Sequence, residues 1–511
     1  MRICLRPCAG SLLIPFCALA GIARADVADL LPVPAEVTPR DGVCAVANPV
    51  REVVDPSLGL EAYVLTVSPT GVEIRSANKV GAYWARQTLA QLAWGRTDYP
   101  CVVIRDAPRF PWRGIMVDAS RHFVPIDEVK RTIDHISRWK LNVYHWHLVD
   151  THGWRMEVPN YPKLTSVAAW RMQPGYPEEG RCERYGGFYT TAEMRDVVAY
   201  AAARGVTVVP EIEIPGHCAE SLVAYPEYAC DGQSFFQTET FKTYPCHKLN
   251  FNPCGCNAYC AGKEKTYQFL QDILDEVMRI FPSEYIHVGG DEVSLDYWRG
   301  CASCRKLMER EGMKDVNEIQ PYFMRRVVSY LAAHGRKAIG WDEVSETSGL
   351  PAGTAIQSWR GWGGDARAID RGFPIVASTQ DELYLDRGQA PDSNEPEHWP
   401  GYNPIDEIYA FEPVPTGRDP RFVLGIEGPL WTIFTHTQKL RDIQTWPRLL
   451  AIAETGWSRR EKKDFKDFTR RQAASERALA ALDVKYWHAN WREPTDGRIQ
   501  PCDQKHQPRK D

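Results

Sequence analysis

Short apolar runs alternate with longer stretches of helical periodicity through most of the chain after residue 108. The runs at 114–118, 143–148, 206–212, 285–289, 337–340, 354–357, 374–378 and 423–427 have the length and apolar content of buried strands. Between them, Ile126, Val129, Ile133 and Ile136 form one apolar stripe at helical spacing, and Thr190-Thr191-Ala192-Glu193 has the form of a capping box that opens another helix. Strands alternating with helices predict a parallel sheet, and eight of them suit closure into a (β/α)8 TIM barrel of the α/β class. Before residue 108 the pattern differs. Strand-like segments at 62–67 and 71–75 lead into a helix over Lys79–Leu92, with Val80, Tyr83, Trp84, Thr88, Leu89 and Leu92 at helical spacing. This predicts a small α+β domain over 26–107. Pro108 and Pro111 mark the boundary, the barrel is expected over 108–483, and 484–511 form a C-terminal tail.

At 511 residues the chain has room for both domains. The balance of 61 Lys and Arg against 66 Asp and Glu, a formal charge of −5, argues against nucleic acid or an anionic membrane as partner. Residues 1–25 carry Arg2 and Arg6, an apolar run over 12–20 and a closing Ala23-Arg24-Ala25, which predicts a cleavable export leader. No later run reaches the ~18 apolar residues of a membrane span. Export to a periplasm or to the exterior is therefore expected, while the oligomeric state is open.

Of 15 cysteines, Cys4, Cys8 and Cys17 fall in the leader, leaving an even 12. Cys230, Cys246, Cys254, Cys256 and Cys260 crowd one loop, and Cys301-Ala302-Ser303-Cys304 is a CxxC. Export favours disulfides. Zinc is the rival reading, with His217 and His247 outside finger-type spacing.

In a (β/α)8 barrel the active site lies at the C-terminal ends of the strands. Those ends are rich in chemistry: Asp118 to His122, His145-Trp146-His147 to Asp150, Glu211 to His217, Asp291-Glu292, Trp341-Asp342-Glu343, Gln357-Ser358-Trp359, Tyr384-Leu385-Asp386, and Glu427 to Trp431. Asp291-Glu292 follows the apolar 285–288 and the pair Gly289-Gly290. Adjacent residues on a strand face opposite ways, so both acids share one pocket only if the strand stops and the chain bends there. Taken alone, an acid pair after a strand is more often a helix N-cap and first turn. Acids, histidines, an arginine and tryptophans converging on one face point instead to a saccharide site, where glycines let another backbone or a ligand come close.

The same residues resemble glycoside hydrolase family 20, the β-N-acetylhexosaminidases. The resemblance rests on Pro108-Arg109-Phe110-Pro111-Trp112-Arg113-Gly114, Asp118-Ala119-Ser120-Arg121-His122-Phe123, His145-Trp146-His147-Leu148-Val149-Asp150, Glu211-Ile212-Glu213-Ile214-Pro215-Gly216-His217 and His287-Val288-Gly289-Gly290-Asp291-Glu292. It extends over about residues 30–460, including the small domain. It implies retaining, substrate-assisted hydrolysis, one of the exceptions to the two-carboxylate scheme, with the acetamide of the sugar as nucleophile. Under it Glu292 is the general acid, Asp291 orients the acetamide, and Asp150 with His217 forms a relay behind Glu292. Tyr384 would bond the acetamide oxygen, Arg121 and Asp386 the ring hydroxyls, and Trp341, Trp359 and Trp431 would wall the pocket. Neither metal nor cofactor is required. The implied substrates are oligosaccharides or glycoconjugates ending in GlcNAc or GalNAc, cleaved from the non-reducing end. Release of a disaccharide, as by lacto-N-biosidases, and a catalytically weakened sugar-binding barrel are the alternatives. Two features depart from the family pattern: Ile433 stands where a glutamate usually grips the outer hydroxyls, and the cysteine-rich segment at about 228–262 is an insertion beside the barrel mouth.

Overall fold

The computed structural model describes residues 26–174, 182–231, 258–361, 363–391 and 395–487. The export leader and most of the cysteine-rich segment and the tail lie outside these residues. Among the described residues no helix is long and apolar enough to cross a membrane.

The amino-terminal domain is a five-stranded sheet with one helix. The strands lie in the order Glu36–Ala45, Asp98–Asp106, Tyr63–Ser68, Gly71–Ser76, Val50–Val54. The helix Lys79–Leu92 starts where Asn78 Oδ1 accepts the backbone N–H of Val80 at 2.8 Å. Its apolar face packs Trp84, Leu89 and Leu92 onto Leu65, Ile74, Val102 and Ile104. Three strands of this sheet, Glu36–Ala45, Val50–Val54 and Asp98–Asp106, are absent from the sequence expectation. The first two are largely exposed, so no buried face imposes an apolar alternation on them. The domain docks on the barrel through Asp106, whose carboxylate accepts from Lys140 Nζ at 2.9 Å and from the Trp457 indole at 3.0 Å.

Eight parallel strands then close a barrel: Trp112–Asp118, Val143–His147, Thr207–Glu211, Tyr285–His287, Lys337–Trp341, Ala355–Ser358, Ile375–Ala377 and Val423–Leu430. The last strand pairs back onto the first, Gly425 opposite Trp112 through Leu430 opposite Val117. The fold is thus a TIM barrel preceded by a small α+β domain, with every expected barrel strand present to within a few residues. The expected helices form as well: Val129, Ile133 and Ile136 are buried along Ile126–Arg138. Thr190 and Glu193 close a reciprocal capping box on Thr191–Ala202, with backbone-to-side-chain bonds of 3.2 and 2.8 Å.

Strand periodicity sorts the barrel interior from the shell beneath the helices. On Val143–His147, Tyr144 and Trp146 join the shell packed against the helices, while Val143 joins an inner plug with Trp112, Val209, Ile339, Ala355 and Val376. Two residues further along the same face, His145 sits between Glu211 and Glu427. The interior is therefore apolar near the bottom and polar near the mouth.

No disulfide is formed among the described residues. Cys44, Cys101, Cys218, Cys230, Cys260, Cys301 and Cys304 are free cysteines, all buried. In the cluster of Cys230, Cys260, Cys301 and Cys304 the recorded Sγ separations are 3.7–3.9 Å, whereas bonded sulfurs lie at about 2.05 Å. Cys246, Cys254, Cys256 and Cys502 lie outside the described residues.

Candidate active site

The fourth strand stops at His287, and the chain then turns sharply. Gly289, Gly290 and Glu292 have φ of 64°, 103° and 47°. A left-handed backbone costs a non-glycine residue about 1–2 kcal/mol, so Glu292 is held there by its surroundings. Its N–H donates to Glu343 Oε1 at 3.1 Å, and Gln320 Nε2 donates to the Gly290 carbonyl at 2.7 Å. The bend delivers both acids to the mouth with unequal exposure: the Asp291 side chain is 12 % exposed and that of Glu292 53 %.

The glycines are needed first for close approach by the protein itself. A Cβ on Gly289 would stand 1.8 Å from Glu213 Oε2, and one on Gly290 would stand 2.4 Å from Val344 Cγ2. They make room for neighbouring side chains and supply the left-handed turn.

Behind the acids stands His217, also in the left-handed region at φ 47°. Its Nδ1 lies 3.3 Å from Asp150 Oδ1, and its Nε2 lies 3.5 Å from Asp291 Oδ2 and 3.4 Å from Glu292 Oε2. Burial opposes a charge on this imidazole, but Asp150 and then Asp291 outweigh it and hold its pKa well above the ordinary histidine range. Asp150 in turn is kept well below the carboxylate range, against burial, by Arg121 and His217. Arg121 Nη1 is 2.6 Å from Asp150 Oδ2 and 3.5 Å from Asp118 Oδ2. The expected relay residues therefore meet, and Arg121 is anchored in the same network.

The expected binding residues line one side of this cluster. The Arg121 guanidinium lies 4.8 Å from the Trp431 ring centroid, and the Tyr384 ring lies 6.2 Å from that indole. Asp386 is pushed up to about 7 by burial and leaves Oδ1 without a hydrogen-bond partner among the described residues. Trp359 donates its indole N–H to Glu343 Oε2 at 3.2 Å. Trp341 sits deeper than an open wall: it is 1 % exposed, donates to Glu211 Oε1 at 2.8 Å, and underlies Trp431 at 5.9 Å between ring centroids. Ile433 is partly exposed on the segment that follows Trp431.

Beneath lies a buried ionic layer. Glu427 accepts from the Trp112 indole and Gln357 Nε2, both at 2.7 Å, and lies 2.8 Å from His145 Nδ1. Glu211 contacts His147 Nδ1, His145 Nε2 at 3.0 Å and His287 Nδ1 at 2.7 Å. Against burial, Glu427 and Glu211 raise His145 to about 9, and Glu211 with Asp150 raises His147 to about 10. Donor sets such as His145, Glu211 and His287 come close enough to share an ion. Each imidazole here already faces a carboxylate, so the layer is internally compensated.

Two further acids flank Asp291 that sequence reasoning did not assign. Burial first, then Asp291 and Glu211, raise Glu213 well above the carboxylate range, and neither of its carboxyl oxygens has a hydrogen-bond partner among the described residues. Glu343 is pushed up to about 7 by burial and then Asp291, while Arg360 opposes. For Glu213 a signal existed, since it stands two residues beyond Glu211 on the same strand face.

A closed parallel barrel whose mouth gathers paired acids, a histidine and aromatic rings is the architecture of the barrel-fold glycoside hydrolases. Within that class the chain belongs to glycosyl hydrolase family 20: the family's catalytic-domain model matches residues 110–460 and its domain 2 model residues 24–107. A β-hexosaminidase of Porphyromonas gingivalis is 38 % identical over 434 residues, which cover 82 % of this chain and 54 % of that protein. One of Vibrio furnissii is 36 % identical over 416 residues, covering 79 % of this chain and 66 % of that protein. The chain thus spans between half and two-thirds of the length of these relatives. A solved exo-β-N-acetylglucosaminidase of Vibrio harveyi, in complex with N-acetylglucosamine, superposes with a TM-score of 0.80 at 29 % identity, covering 91 % of this chain and 79 % of that one.

Proposed function

We propose that the chain is an exo-acting β-N-acetylhexosaminidase that removes terminal non-reducing GlcNAc or GalNAc by retaining, substrate-assisted hydrolysis. The observation that carries this reading is the division of Asp291: Oδ2 faces His217 at 3.5 Å, while the buried Oδ1 has no hydrogen-bond partner among the described residues. A buried carboxylate oxygen without a donor suits an acetamide N–H, and its charge suits the positive oxazolinium that forms when the acetamide oxygen attacks the anomeric carbon. Glu292, half exposed at the rim, gives its proton to the leaving glycosidic oxygen and later takes one from the attacking water. The protonated His217 stands between the acids and Asp150 and balances their charge. Tyr384 bonds the acetamide oxygen. Arg121 and Asp386 take ring hydroxyls, Asp386 through its unpartnered Oδ1, and Trp431 and Trp359 frame the N-acetyl group above Trp341. With Ile433 in place of a carboxylate, hydroxyl recognition rests on Arg121 and Asp386. Oligosaccharides and glycoconjugates that end in N-acetylhexosamine are the substrates, and the leader-like segment supports export to a periplasm or to the exterior.

The test compares the wild type, Glu292→Gln and Asp291→Asn on aryl β-GlcNAc, aryl β-GalNAc and a non-acetylated aryl β-glucoside. The wild type should cleave the acetylated substrates, and each variant should lose about 10²–10⁴-fold in kcat, the scale for removing a general acid or a preorganised charge. Near-normal turnover by either variant, or wild-type activity confined to the glucoside, would overturn the assignment.

A further inference from the structure

Four cysteines from three separate stretches of chain meet at one buried point. Cys230, Cys260, Cys301 and Cys304 are at most 3 % exposed, and their four Sγ atoms all lie within 4.8 Å of one another. The recorded separations are 3.9 Å for Cys230 to Cys304, 3.7 Å for Cys260 to Cys301 and 3.7 Å for Cys260 to Cys304. These values discriminate between the two fates of clustered cysteines. Bonded sulfurs sit at about 2.05 Å, whereas sulfurs at the corners of a tetrahedron with Zn–S spokes of about 2.3 Å are about 3.8 Å apart. Three of the six edges match the tetrahedral spacing, and the other three lie within 4.8 Å.

The surroundings suit thiolates. The Asp231 N–H points at Cys301 Sγ at 3.3 Å, the kind of donor that stabilises a metal-bound sulfur. Cys301 and Cys304 flank the start of the helix Ala302–Glu311, where the positive end of the dipole favours ionised sulfur. Against this, the Asp231 carboxylate Oδ2 lies 3.4 Å from Cys301 Sγ, where it accepts from a thiol and opposes a thiolate. That carboxylate is itself held by the Ser303 N–H at 2.9 Å, the Ser303 hydroxyl at 2.6 Å and Lys263 Nζ at 3.1 Å. Lys263 brings a positive charge to the edge of a four-thiolate cluster.

We propose that Cys230, Cys260, Cys301 and Cys304 bind one structural Zn2+ in a closed tetrahedral tetrathiolate site. A full set of four soft ligands, with no water position, is the structural rather than the catalytic form of zinc coordination. Binding displaces the thiol protons to solvent and involves no oxidation. The metal joins the two ends of the cysteine-rich segment to the chain that follows the Asp291-Glu292 bend. That junction touches the catalytic loops: the Tyr259 N–H donates to the Pro215 carbonyl at 2.9 Å, beside His217, and the Trp298 indole donates to the Tyr259 carbonyl at 3.0 Å. The ion thus acts as a cross-link behind the loops that carry His217 and the acid pair, at a distance from their chemistry.

Metal analysis of the purified full chain tests this directly. One zinc per chain is expected, released when a mercurial titrates the thiols, and retained in Glu292→Gln because His217, Asp291 and Glu292 are not its ligands. Cys304→Ser should lose most of the zinc and lower the melting temperature. Should that variant fail to fold, replacing the metal of the wild type with Co2+ gives a second measurement, in which thiolate-to-cobalt charge-transfer bands with intense tetrahedral ligand-field bands are expected. Iron in place of zinc would overturn the proposal. So would a metal-free chain whose unreduced mass shows these four cysteines paired as two disulfides, or zinc that disappears in Glu292→Gln.

Discussion

Alanine at position 289 separates two explanations of the glycine pair that precedes the acids. If the glycine admits a ligand, Gly289→Ala should raise KM and leave the melting temperature alone. The structure points to the opposite outcome. The added methyl would stand 1.8 Å from Glu213 Oε2, 2.6 Å from its Cδ and 3.1 Å from its Cα, so rotating the carboxyl away does not clear the space. Holding φ near 64° adds a backbone penalty of about 1–2 kcal/mol for a residue with a side chain. Forcing an extra methyl into a filled site adds about 1–3 kcal/mol. Together these give a loss of about 2–5 kcal/mol. One kcal/mol moves the midpoint by about 2–4 °C in a domain of 150–250 residues and by less in a longer one, so a fall of several degrees is expected. Because Glu213 abuts the bend, kcat should fall as well. Differential scanning calorimetry and steady-state hydrolysis of an aryl β-GlcNAc read both effects. In Gly289→Ala/Glu213→Ala the contacts at 1.8 and 2.6 Å vanish, and the calorimetric loss beyond that of Glu213→Ala alone should shrink toward the backbone term. A variant that melts with the wild type and differs only in KM would refute the packing argument.

Other perturbations probe the charges around the acids. In Asp150→Asn, His217 keeps Asp291 as a counter-charge but loses the larger of the two contributions that outweigh burial. Its imidazole pKa should fall back toward the ordinary histidine range, because a close opposite charge is gone; a histidine ¹⁵N titration assigned with His217→Gln reads this, and an unchanged titration would contradict the Asp150 pairing. For Glu343 the folded-state pKa of about 7 lies above its ordinary 4.5. Its contribution to stability is therefore full below about pH 4.5 and lost as pH rises through about 7, to the extent of about 3 kcal/mol. The wild type should lose more melting temperature than Glu343→Gln between pH 5 and pH 8, and parallel losses would show that another group titrates.

Much of this protein was legible in its sequence because the signals are local. The eight barrel strands declare themselves as short apolar runs, the Lys79–Leu92 helix by its apolar spacing, and Thr190-Glu193 by the reciprocal cap that both side chains can make only at a helix start. The adjacency of Asp291 and Glu292 already required a bend if both acids were to act together. Three classes of feature escaped. Exposed strands such as Glu36–Ala45 carry no alternation, since no buried face selects one. The purpose of Gly289 depends on what presses against it, and Glu213 arrives from the neighbouring strand. The four clustered cysteines looked like material for disulfides on grounds of export, whereas their fate turns on separations of 3.7–3.9 Å that only the folded chain sets. Periodicity and capping act over a few residues, so the sequence by itself determined the barrel strands, their order and the residues at the barrel mouth. Which side chains meet, at what distance and in what charge state was decided by barrel closure, because that closure brings Asp150, His217 and Asp291 from three different strand ends into contact with one another.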